Sequence, residues 1–341
     1  MYHGRFNGTH YEIGLKWGGL LLKNGKKLLD GVPFPITEER IKFSRRCIPS
    51  YEQYFPEVLE EIEGIAAGQK IASEKLMAVL LSMYCIMPEQ KCSCVAFKNE
   101  NHIILARNSD FLTEIEKLYM NCIYKIKKPA AFGPPYSFQG NTTAFVEMED
   151  GVNERGLAIG LTAVWPSVLG AGLNAGMILR YGLERCATVP EFTEALKALP
   201  IASSQTFTAA DRQGNAAVIE CNAEQTEIRY QDEEHPFVSA VNSFHLDSMK
   251  HFNNTQIDHW NAEERYQTIQ RAFEAEDKRD PEFAKKILSG RFGFMCRYER
   301  ATGKDTVWSV IYDLKELEIY RCEGNPSRRK FIRDKRFALL P

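Results

Sequence analysis

The sequence predicts an α+β fold, a four-layer α/β/β/α sandwich of two mainly antiparallel sheets preceded by a helical N-terminal segment. Three observations predict it. Apolar residues keep helical spacing through the first ninety positions, the period shortens abruptly at Cys92, and from there blocks of strand-like residues alternate with helix pairs. Antiparallel strands numerous enough for two sheets, with helices to cover them, make the sandwich.

In the N-terminal segment Ile13, Trp17, Leu20 and Leu21 share one helical face, and Val58, Leu59, Ile62 and Ile65 repeat the pattern after Pro56, a residue suited to a first helical turn. Ser73, Leu76, Val79, Leu80 and Met83 mark one more helix. Strands are expected at 92–97 and 102–107, joined by the turn Asn99-Glu100-Asn101, then at 121–127, 143–149 and 156–164, with Asp150-Gly151 as the turn between the last two. Helices at 175–187 and 191–199 follow, separated by Thr188-Val189-Pro190. Strands at 205–210, 216–221, 227–230 and 237–242, helices at 262–275 and 281–288, and strands at 306–313 and 317–322 complete the chain.

The 341 residues suffice for a sizeable core, and 44% hydrophobic with 26% charged residues is ordinary for a globular protein. A formal charge of -2 with interspersed signs gives nucleic acid no basic footprint to bind, and the short cluster Arg328, Arg329, Lys330 reads as a solvated tail. No apolar run reaches the ~18 to 20 residues of a membrane span, and Met1-Tyr2-His3-Gly4-Arg5 is unlike a signal peptide, so a cytoplasmic location is expected. The nine cysteines are an odd number in a chain far larger than a disulfide-stapled domain, and most read as buried thiols. Oligomeric state is open, a homo-oligomer included.

The segment that carries chemistry is Cys92-Ser93-Cys94, followed after the hairpin by Arg107-Asn108-Ser109-Asp110, which the hairpin returns to the start of its first strand. Were Cys92 a chain N-terminus, its α-amine, with a pKa of about 7.7 to 8.0, would take up the thiol proton, so one residue would supply nucleophile and base. Asp110 would orient the ammonium, and Arg107 would favour thiolate and fix an acyl group or carboxylate by forked hydrogen bonds. Plainer readings stand beside this one. Cys92 and Cys94 share a strand face and could form a redox pair or half a metal site, although no second cysteine pair or histidine partner at zinc spacing accompanies them. Arg107 and Asp110 could be an ion pair at a hairpin end, and Asn242-Ser243 a turn or helix cap. His245, His251 and His259 match no compact ligand spacing and read as loop or surface residues.

Cys92-Ser93 with Arg107-Asn108-Ser109-Asp110 resembles the N-terminal-nucleophile hydrolases, the group that includes choloylglycine hydrolases, penicillin V acylases and the acyl-coenzyme A:6-aminopenicillanic acid (isopenicillin N) acyltransferases. The likeness continues in Gly151-Val152-Asn153-Glu154-Arg155-Gly156-Leu157-Ala158, in Leu179-Arg180-Tyr181-Gly182-Leu183-Glu184, in Asp211-Arg212-Gln213-Gly214-Asn215 and in Val241-Asn242-Ser243. Asn7-Gly8-Thr9-His10-Tyr11-Glu12-Ile13-Gly14 is similar to the opening of the acyltransferase branch.

This resemblance implies a precursor that cuts itself before Cys92, leaving residues 1–91 as a light chain and 92–341 as the heavy chain that carries the N-terminal-nucleophile sandwich. It implies Asn242 as an oxyanion donor, Arg265 as a second arginine that binds substrate, and Thr162 or a backbone N–H as the remaining donor, with no metal and no cofactor. The expected substrate is a small acyl amide or acyl thioester. Lys91 stands where the fungal acyltransferases carry glycine. A fold relative that never matures and serves as a binding protein is the alternative.

Overall fold

The computed structural model describes residues 1–86, 91–127 and 135–339. The chain opens on a strand, β1 (Tyr2–Gly8), where helical spacing was expected. Only Phe6 and Gly8 point inward, too short an alternation to stand out in the sequence, and Phe6 is held by rings far along the chain, stacking on Trp17 and tilting against Tyr124. Helix α1 (His10–Lys23) starts at a capping box in which Thr9 and Glu12 satisfy each other's backbone N–H groups. Helices α2 (Glu38–Tyr54), α3 (Pro56–Gln69) and α4 (Ser73–Leu81) follow. Helices α1 and α3 cross with their backbones touching: a Cβ on Gly14 would sit 2.1 Å from the Glu61 carbonyl oxygen, and one on Gly64 would sit 2.3 Å from that of Tyr11.

Strands β2 (Lys91–Lys98) and β3 (Ile103–Leu112) form the expected hairpin. Next come β4 (Met120–Ile126), β5 (Phe138–Thr142), β6 (Asp150–Asn153) and β7 (Leu157–Ala163). Residues 143–149, expected as a strand, form a loop, closed in part by Thr143 Oγ1 donating to Glu149 at 2.8 Å. Asp150 and Gly151 belong to β6, and the turn falls instead at Asn153–Gly156, where Gly156 adopts a φ of 84° and donates to the Asn153 carbonyl. Helices α5 (Ala175–Arg185) and α6 (Val189–Ala198) lead into β8 (Gln205–Asp211), β9 (Ala216–Cys221), β10 (Thr226–Tyr230) and β11 (Phe237–Ala240). Helices α7 (Ala262–Ala275) and α8 (Pro281–Leu288) precede β12 (Lys304–Asp313), β13 (Glu318–Glu323) and the short β14 (Ile332–Arg333).

Eight strands, in the order β1, β4, β5, β6, β7, β8, β9, β10, make one sheet, and six, in the order β11, β2, β3, β12, β13, β14, make the other. Among the described residues, every pairing between these named strands is antiparallel except β1 with β4. The sheets face each other through β2 and β3 on one side and β7 and β8 on the other. Helices α5 and α6 cover the outer face of the larger sheet, and α7 and α8 cover that of the smaller. This is the expected α/β/β/α sandwich. Strand β2 shows why: Cys94 and Ala96 enter the core between the sheets, while Val95 and Phe97 pack with Ile269, Phe283 and Ile287 of α7 and α8.

The N-terminal elements are tied in by more than apolar packing. Glu61 of α3 accepts from Arg180 of α5 at 2.8 Å and from the Tyr124 hydroxyl, and His10 lies 3.1 Å from Glu184, the other carboxylate that Arg180 holds. All four groups are buried, so each needs the others to offset lost hydration.

Candidate active site

Cys92 is the second residue of β2, directly opposite Ser109 of β3. Two-residue periodicity puts its side chain on the inter-sheet face with Cys94, and Cys94 pairs with Arg107, so Arg107 emerges on that face too. Its guanidinium Nη2 is 2.8 Å from the Cys92 sulfur. Nη1 donates to Asp150 Oδ2 at 3.0 Å, Nε donates to the Leu161 carbonyl at 2.9 Å, and Glu149 lies 3.7 Å from Nη2. Arg107 is fully buried, and these neighbours hold it charged: burial pulls its pKa down, but Cys92, Asp150 and Glu149 more than reverse this.

Asp110, three residues beyond Arg107, leaves the strand on the opposite face. The convergence expected from the hairpin is therefore split: Arg107 reaches the sulfur, and Asp110 reaches the layer beneath α7. There it accepts from Thr306 Oγ1 at 2.5 Å and from the Tyr298 hydroxyl at 3.0 Å, with Arg265 Nη1 at 3.6 Å. Burial pushes its carboxyl up to about 6, against the pull of Arg265 and the two hydroxyls.

Arg265 sits on α7 with none of its surface exposed, so it is no solvated helix charge. Its Nη1 donates to the Cys92 carbonyl at 2.5 Å and to Ser93 Oγ at 2.8 Å, and its Nη2 donates to Asn242 Oδ1 at 2.9 Å. That same Oδ1 accepts the Cys92 backbone N–H at 2.9 Å, while Asn242 Nδ2 donates to the Ala163 carbonyl at 2.7 Å. Thr162 Oγ1 donates to the Val241 carbonyl at 2.7 Å and also contacts Thr206 Oγ1, which fixes the segment carrying Asn242 to β7. Cys92, Arg107, Asn242 and Arg265 thus meet around one residue, with Asp110 behind Arg265 and Thr162 bracing Asn242.

In the uncut chain the Cys92 nitrogen is an amide. Burial pushes the thiol up to about 12; Arg107 opposes this, and Glu149 and Asp110 add to it. Sequence reasoning missed the acidic group that frames the sulfur. Glu149 accepts from Thr143 Oγ1 and from Ser109 Oγ, the side chain opposite Cys92, and burial raises its pKa. Asp150 is further held by Trp308 Nε1 at 2.9 Å and the Tyr312 hydroxyl at 2.8 Å. The available signal was Glu147-Met148-Glu149-Asp150, three acids in four residues entering a buried sheet. The phenols of Tyr84 and Tyr119 are buried without a hydrogen-bond partner among the described residues, and both feel the charge of Cys92 and Glu149. No group of side chains suited to a metal ion occurs among the described residues, and no helix there is long and apolar enough to cross a membrane.

The sequence profile of the acyl-coenzyme A:6-aminopenicillanic acid acyl-transferase family matches residues 97–328. The chain belongs to that family. The match spans Arg107, Asp110, Thr162, Asn242 and Arg265 and begins five residues after Cys92. No curated protein matches the sequence. Among solved structures, penicillin V acylase from Agrobacterium tumefaciens is 18% identical with a TM-score of 0.50, over 68% of this chain and 82% of that one. A variant of the conjugated bile acid hydrolase from Clostridium perfringens is 15% identical with a TM-score of 0.45, over 73% of this chain and 98% of its own. This chain shares the sandwich fold of that penicillin V acylase, and 90 residues precede its β2.

Proposed function

We propose that this member of the acyl-transferase family is a self-processing cysteine amidohydrolase or acyltransferase, acting on linear amides or acyl thioesters through an acyl-enzyme on Cys92. One observation carries the reading: Arg107 holds the sulfur at 2.8 Å while Asn242 and Arg265 grip the N–H and carbonyl of the same residue. A structural thiol needs no such fixation of its own backbone by two buried polar side chains.

Maturation is an N-to-S acyl shift. The Cys92 sulfur attacks the Lys91 carbonyl carbon, the bond from that carbon to the Cys92 nitrogen breaks, and the nitrogen takes up the thiol proton to become an amine. Water then hydrolyses the thioester, releasing a Lys91 carboxylate and a free Cys92 thiol. Residues 1–91 become the light chain and 92–341 the heavy chain, joined through the β1 and β4 ladder and the Glu61 and Arg180 pair.

In turnover the α-amine takes the thiol proton, the thiolate attacks the substrate carbonyl, and the ammonium protonates the leaving amine or thiol. Asn242, swinging its amide from Ala163, and a backbone N–H serve as oxyanion donors, with Thr162 keeping Asn242 in place. Arg265 binds the substrate's polar end, and Asp110 orients the new ammonium. Water resolves the acyl-enzyme in a hydrolase, and an amine resolves it in an acyltransferase.

Lys91, at the position where the fungal acyltransferases carry glycine, favours the second reading, a binding protein that never matures. Intact mass and N-terminal analysis of wild type beside Cys92→Ala decides between them. Cleavage before Cys92 in the wild type alone supports the enzyme, and an intact wild-type chain that acylates with no amide or thioester sinks it.

A further inference from the structure

The segment that carries Asn242 is held by a row of polar side chains that strand register sets side by side. Thr162 of β7 lies directly opposite Thr206 of β8, and Thr206 lies directly opposite Glu220 of β9. All three are buried, and residues directly opposite in adjacent strands share one face of the sheet. Thr162, in contact with Thr206, takes the Val241 carbonyl on one side of Asn242. Glu220 takes the other side: one carboxylate oxygen accepts the backbone N–H of His245 at 2.6 Å, and the other accepts that of Leu246 at 3.0 Å. The segment is thus gripped one residue before the asparagine and again three and four residues after it.

Helix α7 closes the clamp. The His245 ring stacks on Tyr266 with centroids 3.7 Å apart and planes at 11°, and its Nε2 lies 3.1 Å from Glu263 Oε2. Tyr266 follows Arg265, whose Nη2 donates to Asn242 Oδ1. Phe244, Leu246 and Met249 pack on Val164, just after β7. Two backbone N–H groups in succession need two acceptor oxygens, and an ionised carboxyl offers both with no proton in the way. Facing Glu220 are Arg229 of β10 and Lys250, which lies later in the same segment and is itself paired with Asp247; Tyr266 faces it from α7, and Cys221 is its neighbour on β9. Burial pushes the carboxyl up to about 7, against the two N–H groups and the two cations, so it changes protonation in the neutral range.

We propose that Glu220 is a positioning residue for Asn242: as a carboxylate it seats the asparagine against the Cys92 N–H, and as a carboxylic acid it gives up one of its two N–H groups and lets the segment move. The proposal rests on Asn242 acting at Cys92 in the proposed reaction. Glu220 touches no reacting atom and works through the backbone between itself and the asparagine. Maturation therefore slows as pH falls through the neutral range, a sensitivity separate from those of Asp110 and the thiol.

The test follows newly synthesised precursor by intact mass at pH values on either side of about 7, wild type beside Glu220→Gln. Glutamine keeps one acceptor and carries no charge at any pH, so it stands for the protonated acid. The ratio of wild-type to variant cleavage rate should lie within about twofold of unity at mildly acidic pH and rise to about tenfold at mildly alkaline pH, part of the value of one buried charge-assisted hydrogen bond. Asp110 and the thiol titrate in both chains and cancel from the ratio. A merely structural glutamate gives a ratio that does not move with pH, and that result overturns the proposal. Hydrogen exchange in the Cys92→Ala chain serves if Glu220→Gln does not fold, since Glu220 is intact there. Protection of peptides spanning residues 243–249, corrected for the intrinsic rate, should rise as pH passes through about 7, and flat protection overturns the proposal equally. A wild type that stays uncut at every pH removes the proposed reaction as well, whereas cleavage with a flat ratio removes only the clamp.

Discussion

Arg107 lies 2.8 Å from the sulfur of Cys92 and takes two further acids, Asp150 at 3.0 Å and Glu149 at 3.7 Å, into the same buried space. One guanidinium therefore balances two carboxyl groups and the charge the thiol would acquire in the proposed reaction. Arg107→Met keeps much of the bulk and leaves the acids uncompensated. It should destabilise the intact Cys92→Ala chain by about 3 to 5 kcal/mol, read by urea unfolding.

Glu149 works against ionisation of the thiol, since its charge raises the Cys92 pKa. Glu149→Gln keeps the shape and removes that charge. Alkylation of Cys92 by a small reagent, followed residue by residue by mass spectrometry at mildly alkaline pH, should become faster. An unchanged or slower rate would mean that Glu149 matters only as a brace for Thr143 and Ser109.

Asp110 gives a signed pH dependence. Its folded pKa of about 6 lies above the ordinary 3.8, because burial outweighs Arg265 and the two hydroxyls. Between those values the folded chain binds more protons than the unfolded chain, so stability from this group falls as pH rises through the window, by about 3 kcal/mol in all. Below the window both states are protonated and the full benefit remains. In a Cys92→Ala background, Asp110→Asn should remove this component, seen as the difference between the two chains in urea unfolding at mildly acidic and neutral pH.

Asn242 holds the Cys92 amide and shares its oxygen with Arg265. Asn242→Ala removes the acceptor of the scissile N–H and should slow appearance of the cut chain by about 5- to 150-fold, the value of one buried hydrogen bond. A time course of intact mass measures it, and wild-type maturation kinetics in this variant would remove Asn242 from the reaction.

Gly160 of β7 faces the site across the sheets. A Cβ there would lie 2.6 Å from the Cys94 sulfur and 3.1 Å from Arg107 Cδ. Gly160→Ala should cost about 1 to 3 kcal/mol of stability by overpacking and also slow maturation, because relieving the contact displaces Arg107. Calorimetry and intact mass read the two effects.

The hairpin of β2 and β3, the helix pairs and the late strands were legible because each is a local pattern of period and turn residues. Strand β1 was not, since Phe6 is held by Trp17 and Tyr124 rather than by neighbours in sequence. The 143–149 loop was read as a strand because Thr143, Phe145 and Val146 suit one, while its real shape depends on buried carboxylates bonding side chains elsewhere. At the site, Cys92 and Arg107 fall on one face by simple alternation. Asp110 falls on the other by the same rule, an odd-numbered offset that motif matching passes over. The partners of Asp110, Thr306 and Tyr298, come from nearly two hundred residues downstream, and no sequence spacing announces them.

The parallel pairing of β1 with β4 takes in every residue from Tyr2 to Gly8. While the chain is whole, that ladder forms within one molecule, and its strands meet at a concentration set by the tether. Were the peptide before Cys92 cut as proposed, the same ladder would join two molecules. Recovery from unfolding would then be a second-order encounter that slows on dilution. A matured enzyme would be assembled once, from its precursor, and its endurance would be governed by how slowly β1 lets go rather than by how readily it returns.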